Sequence, residues 1–287
     1  MKHLIVNADD LGADEARNAG IFEAIEAGVV TSVSLLANGP ALSHALHRLR
    51  PLHRKNISVG AHLNLSEGRP LSSGLTLLLG PDGSFLGKAP AHKLLMRSAD
   101  SRLDEEVHKE LTAQMEFLRQ TGLRIDHVDG HQHIHVFPAV IQVAVKLAGE
   151  RKIPWMRLPE EALPSSSTDD IPDSLKKEGG NFSRLARAAR AYLPESGILV
   201  PDHFRGLFLK GRVSLHQLME TLPTLQPGLT ELMVHPGRVP VGLAPGPFSA
   251  FSTFQREEEL EALMDEALRL ALVKAGIHLT PFPEVQD

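Results

Sequence analysis

Residues 124–138 read RIDHVDGHQHIHVFP, and the interpretation of the whole chain turns on them. Arg124–Asp129 reads as a strand. Ala139–Gly149 carries apolar residues at helical spacing, and Pro138 is placed to open that helix at its first position, where a missing N–H costs nothing. A strand, a polar loop and a helix form the repeating unit of parallel sheets. Across the junction, His127–Pro138 holds four histidines (His127, His131, His133, His135) and Asp129 in twelve residues. Neutral imidazole is the commonest transition-metal ligand, and it needs an acceptor on its second nitrogen to fix its tautomer. The cluster therefore points to a metal. The plain alternative is a polar loop that happens to be rich in histidine.

The same unit recurs on both sides. His3–Ala8 (HLIVNA) is a buried strand that runs into Asp9 and Asp10, and Asp14 is placed to cap a helix over Ala16–Ala27. Val33–Ala37 and Ile57–Leu65 are further strands, with a helix through Arg50 between them. Ala91–Thr121 reads as one helix, and Pro154–Leu158 as the fifth strand. Phe182–Tyr192 reads as a basic, solvated helix and Leu207–Leu209 as a short strand, followed by a helix over Ser214–Leu222. Thr230–Val234 is a strand that ends in His235, Glu257–Ala275 a long helix, and Ile277–Leu279 a last strand. Ser66–Pro90, Pro159–Gly180 and Arg238–Phe254 are long connections, where substrate choice and subunit contacts are expected. The alternation predicts one α/β domain over 1–287. Its expected form is a (β/α) barrel, closed or nearly closed.

Composition narrows the functional classes. The chain has 287 residues, 42% of them hydrophobic, and a formal net charge of −5. It lacks the basic footprint of a nucleic-acid binder. No apolar run reaches the length of a membrane span, and MKHLIVNADD does not resemble a signal peptide, so a cytoplasmic location is expected. There is no cysteine, which removes disulfides, thiolate metal sites and cysteine nucleophiles. Any metal must be held by histidine, carboxylate and water.

The conspicuous polar residues fall where strands end: Asp9 and Asp10, then His62 and Asn64, then His127–His135, then His235. Parallel α/β folds build their sites at that rim. Taken singly, each residue has a mundane reading as a cap or a solvated side chain. Two carboxylates could also suggest a glycosidase, but those must flank a sugar bond at roughly 5–9 Å, and the histidines would go unused. One carboxylate and two imidazoles leave positions open on a divalent cation, as in catalytic sites. A free carboxylate as base and a histidine as acid complete the machinery for metal-assisted hydrolysis of an amide or ester. His235, followed by Pro236 and Gly237, suits the acid.

NADDLG at the start, GAHLNL, HVDGHQHIHVFP and MVHPG together resemble the YdjC-like carbohydrate deacetylases, which include chitooligosaccharide deacetylase. The motifs follow in order over nearly the whole chain. The resemblance implies a (β/α) barrel of the glycoside hydrolase/deacetylase type and a divalent cation, magnesium first and zinc as the alternative. It implies a small carbohydrate substrate that loses an N-acetyl group. It assigns Asp10, His62 and His131 as metal ligands, Asp9 as base and His235 as acid. Asn64, His127, Asp129, His133, His135, Arg157 and His203 become candidates for meeting the sugar or orienting the ligands. This chain has Gly130-His131-Gln132 where a Ser-His-His is common in the enterobacterial pattern, which bears on sugar preference. Barrel enzymes of this size often pair, so a homodimer is expected.

Two other readings use the same residues. One is a different metallohydrolase, a phosphoesterase or an amidohydrolase, although amidohydrolases usually carry an HxH on the first strand. The other is a non-catalytic, metal-dependent sugar-binding protein, which would need neither an acid nor a base beside its metal.

Overall fold

The structure is a computed structural model, and it describes residues 1–52, 57–164, 170–239, 248 and 253–285. The run at 242–247 and part of the second long connection (165–169) lie outside the described residues. The order is β1 (Lys2–Leu11), α1 (Glu15–Glu26), β2 (Ser32–Leu35), α2 (Leu42–Leu49), β3 (Ser58–Leu63), α3 (Lys88–Leu95), α4 (Ser101–Gln120) and β4 (His127–Gly130). A 3₁₀ turn (His131–Val136) precedes α5 (Ile141–Glu150) and β5 (Trp155–Met156). Then come α6 (Asp173–Ala189), β6 (His203–Arg205), α7 (Leu215–Thr221), β7 (Gly228–Val234), α8 (Gln255–Met264), α9 (Glu266–Lys274) and β8 (Ile277–Leu279).

All the strand pairs found are parallel, in the order β5-β4-β3-β2-β1-β7-β6, with β8 beside the lower end of β1. β1 is the axis of the sheet, and both its faces are covered. Its Leu4, Val6, Ala8 and Leu11 join one apolar cluster with Ile21, Phe22, Val33, Val59, Val128 and Val234. Burying each such leucine or valine contributes about 2 kcal/mol.

The sheet is curled but open, which corrects the expected closed or nearly closed barrel. β5 and β6 are short edges with no ladder between them. Side chains meet across that gap instead, with the Arg157 guanidinium 5.6 Å from the centre of the Phe204 ring. Other expectations also shift. The helices expected over 91–121 and 257–275 are each two. In both cases an aspartate inside the periodic stretch caps a new helix: Asp100 accepts from the N–H of Leu103, and Asp265 from that of Ala267. Leu207–Leu209 is a turn after β6. The helix at 182 begins earlier, at Asp173. Pro138 precedes the α5 N-cap, Val140, and is not its first residue. No helix among the described residues is long and apolar enough to cross a membrane.

Candidate active site

Strand register brings the polar ends to one height. Ala8 pairs with Val234, so Asp9 and His235 leave the sheet together, and His62 pairs with Asp129. A strand would point Asp9 and Asp10 to opposite faces. The register between β1 and β2 shifts between Ala8 and Leu11, and Asp10 takes a left-handed backbone with φ 66°. Aspartate tolerates that region better than most residues, and a bulge re-aims side chains. As a result, both carboxylates line one cavity of about 210 Å³ with Glu67, His62, His131, His133 and His235.

The two aspartates have different holders. Asp10 Oδ2 accepts from Arg256 Nη2 at 2.7 Å. Its Oδ1 faces His131 Nδ1 at 2.8 Å and His62 Nε2 at 3.4 Å. Asp9 is gripped by Arg157, with Nη1 to Oδ2 at 2.8 Å and Nη2 to Oδ1 at 2.7 Å, and Asn7 Nδ2 also donates to Oδ1 at 2.8 Å. His235 Nε2 lies 3.9 Å from Asp9 Oδ2.

Burial alone would raise the Asp10 pKa, but His131, His62 and Arg256 hold it well below the usual carboxylate range. Burial pulls His62 down, yet Asp129, Asp9 and Asp10 outweigh it and lift it to about 10. His131 is likewise raised by Asp10 and Glu67 against burial. Both rings therefore sit where the surroundings favour positive charge. The carboxylates that do this and the donor set fit a bound cation in place of the ring protons: ligand atoms of Asp10, His62 and His131 lie within 4.8 Å of one another, all buried. Asp9, His62 and Asp129 also converge, but Arg157 already reaches both carboxylates, Asp129 at 3.0 Å.

The remaining predicted residues divide sharply. Asp129 orients, accepting from His62 Nδ1 at 2.8 Å and Ser34 Oγ at 2.6 Å. His133 faces the cavity and packs edge-on to Phe182, 4.8 Å between centres. His127 is core: it stacks on Phe282 at 4.1 Å and lies where a side chain on Gly60 would collide with its ring. Burial lowers it to about 3. His135 is buried against the Arg157 carbonyl at 3.0 Å and is lowered to about 4 by burial. Asn64 does not line the cavity. Its Oδ1 takes the N–H groups of Ser66 and Glu67, forming a turn. His203 sits level with Thr230, well below the rim, with Nε2 3.2 Å from the Pro227 carbonyl, and is not brought to the site.

Sequence reasoning missed Glu67, Arg17, Arg256, Lys88, Lys210 and Glu178, all of which line the cavity. The Asn-x-Ser-Glu spacing of Asn64–Glu67 signals the turn that presents Glu67. Nothing in the helical pattern distinguishes Arg17 or Arg256 from surface arginines, and both are completely buried.

The fold and the site define a hydrolase-like class, with an Asp-His-His triad that could hold a cation next to a separately held carboxylate at the rim of a parallel sheet. The chain belongs to the YdjC-like protein family, which matches residues 3–274. It is 37% identical to a carbohydrate deacetylase from Mus musculus over 99% of this chain and 95% of that one. It is 32% identical to a carbohydrate deacetylase from Geobacillus stearothermophilus, covering 99% and 98%. Among solved structures, an Enterococcus faecalis V583 protein whose name proposes cellobiose-phosphate cleavage superposes with a TM-score of 0.74. That pair is 24% identical, covering 98% of this chain and 97% of the other, and the likeness speaks for the fold.

Proposed function

We propose that this protein is a metal-dependent deacetylase that hydrolyses the N-acetyl group of a chitooligosaccharide-like sugar. The observation that carries the reading is the division between adjacent carboxylates. Asp10 contacts two imidazoles directly, whereas both oxygens of Asp9 are taken by Arg157. The full-length similarity to carbohydrate deacetylases supports the substrate class.

Asp10, His62 and His131 would hold the cation. The resemblance favours magnesium, and two imidazoles with one carboxylate suit zinc as well. Such an ion supplies Lewis acidity toward the acetyl carbonyl and the attacking water. Asp9 takes the water proton, and Arg157 keeps its oxygens aimed. Burial lowers His235 to about 3, so the ring is neutral at rest. It receives its proton during the reaction from Asp9, 3.9 Å away, and passes it to the departing amine as acetate is released. His133 and Phe182 offer an apolar wall to the sugar.

We read 1–287 as one catalytic domain, supported by an apolar cluster that runs from Leu4 to Ile277. A cytoplasmic homodimer completes the reading. Leu270 and Val273 stand exposed on α9, and sedimentation equilibrium tests the pairing. The function itself is tested by acetate release from N-acetylated chitooligosaccharides, lost with chelator and restored by divalent ions. Turnover indifferent to a chelator that has removed all bound metal would refute it. Two tightly held ions per chain would instead favour a phosphoesterase.

A further inference from the structure

We propose that Glu67 is the positioning carboxylate of His131 and thereby sets how firmly the site keeps its cation. The inference rests on the metal reading above. His62 turns Nε2 toward Asp10 and rests Nδ1 on Asp129 at 2.8 Å. His131 does the converse, turning Nδ1 toward the same Asp10 oxygen at 2.8 Å and Nε2 toward Glu67 Oε2 at 3.3 Å. Each imidazole thus has one nitrogen on the cation side and a carboxylate against the other. A carboxylate behind a ligating histidine fixes the tautomer, steers the ring and raises its basicity. Asp129 does this for His62 from within the sheet. Glu67 does it for His131 from the loop that follows β3.

That loop is built to hold Glu67 still. Asn64 Oδ1 accepts from the Glu67 N–H at 3.2 Å, and the Glu67 carbonyl accepts from Asn64 Nδ2 at 2.7 Å and Asn38 Nδ2 at 3.2 Å. The carboxylate takes Gln132 Nε2 at 3.2 Å and the Phe248 N–H at 3.1 Å. Gly68, at φ +76°, lets the chain turn immediately afterwards, where a side chain would press on Phe248 and Asn38. Two separate segments, the His131-Gln132 turn and the one that carries Phe248, therefore converge on this carboxylate, and the Phe248 ring also meets His131 edge-on at 5.3 Å. The metal site is tied to the loops above it through Glu67.

The test uses Co²⁺ as the probe, with calorimetry for affinity and the visible absorption of the bound ion for its ligand set. Glu67→Ala should weaken Co²⁺ binding about 10–100-fold. Glu67→Gln keeps an acceptor and should weaken it less. In both variants the Co²⁺ band should keep its shape, because no ligand is removed. Unchanged affinity in Glu67→Ala overturns the proposal. So does a band that reports a lost ligand, which would make Glu67 a ligand itself. The near-isosteric Glu67→Gln, checked by the melting temperature of the metal-free protein, guards against misfolding. If the unaltered protein fails to bind Co²⁺, the metal reading falls and this inference with it. If the unaltered protein binds and Asp10→Ala does not, the metal reading stands and only the role of Glu67 is being judged.

Discussion

Arg157 reaches Asp9 through two parallel bonds of 2.8 and 2.7 Å, and its third nitrogen, Nε, reaches Glu231 at 2.8 Å. All three side chains are buried. A planar fork of this kind fixes the carboxylate in direction as well as charge, which a lysine cannot do. Arg157→Lys is expected to lower kcat about 10–100-fold while bound metal, measured by elemental analysis, stays at the native ratio. Arg157→Met leaves buried carboxylates unpaired and should destabilise the fold by about 3–5 kcal/mol, read from urea unfolding. A native kcat in Arg157→Lys would remove the positioning role.

Asp9→Asn keeps size and polarity but cannot take a proton. Turnover should fall about 10²–10⁴-fold with metal affinity nearly native, because Asp9 is not in the Asp10, His62 and His131 set. Full activity in this variant would mean that the base is another group.

His235 is assigned to the leaving amine. His235→Asn should therefore depress hydrolysis of N-acetyl sugars far more than that of an activated aryl acetate, whose leaving group needs no proton. The two rates compared in one preparation decide the matter. Equal losses on both substrates would place His235 in a different step.

Acid should unfold this protein by way of its core histidines. Burial depresses His127 to about 3 and His135 to about 4, against an ordinary value near 6.5. Groups depressed in the fold bind more protons when unfolded, so their contribution is fully present above pH 6.5. It is lost as pH falls from there through 4 and 3. Urea midpoints of the metal-free protein should decline steadily over that window. His62 runs the other way: raised to about 10, it stabilises the metal-free fold fully below pH 6.5 and loses that contribution as pH rises through 10. Midpoints that stay flat between pH 6.5 and 4 would contradict the assignment of neutral, buried rings.

Much of the site could be read from the chain because the key residues end strands. Asp9, Asp10, His62, His131 and His235 all come to the one cavity, and strand register sets their common height. The family membership expected from the motifs is borne out. Roles within the histidine cluster could not be read. His127 and His135 look the same as His131 in sequence, yet the first stacks on Phe282 and the second bonds a carbonyl, because His127 stands at the start of β4, below the rim, and His135 lies in the 3₁₀ turn beyond it. Arg157, a candidate for meeting the sugar or orienting ligands, grips Asp9. Asn64, a candidate for meeting the sugar or orienting ligands, shapes the turn that carries Glu67.

Local pattern was enough to determine the parallel α/β sheet, the metal-type donors without thiolate, and the rim where they gather. Periodicity and residue chemistry are local properties, and strand ends in a parallel sheet share one side. Only the tertiary structure decided that the sheet stays open between β5 and β6, and that a bulge at Asp10 turns neighbouring carboxylates into one cavity. It also brought Arg157, Arg256 and Glu67 to Asp9, Asp10 and His131. Those pairings join residues 64 to 246 positions apart, and the backbone twist that makes them is set by packing across the whole sheet.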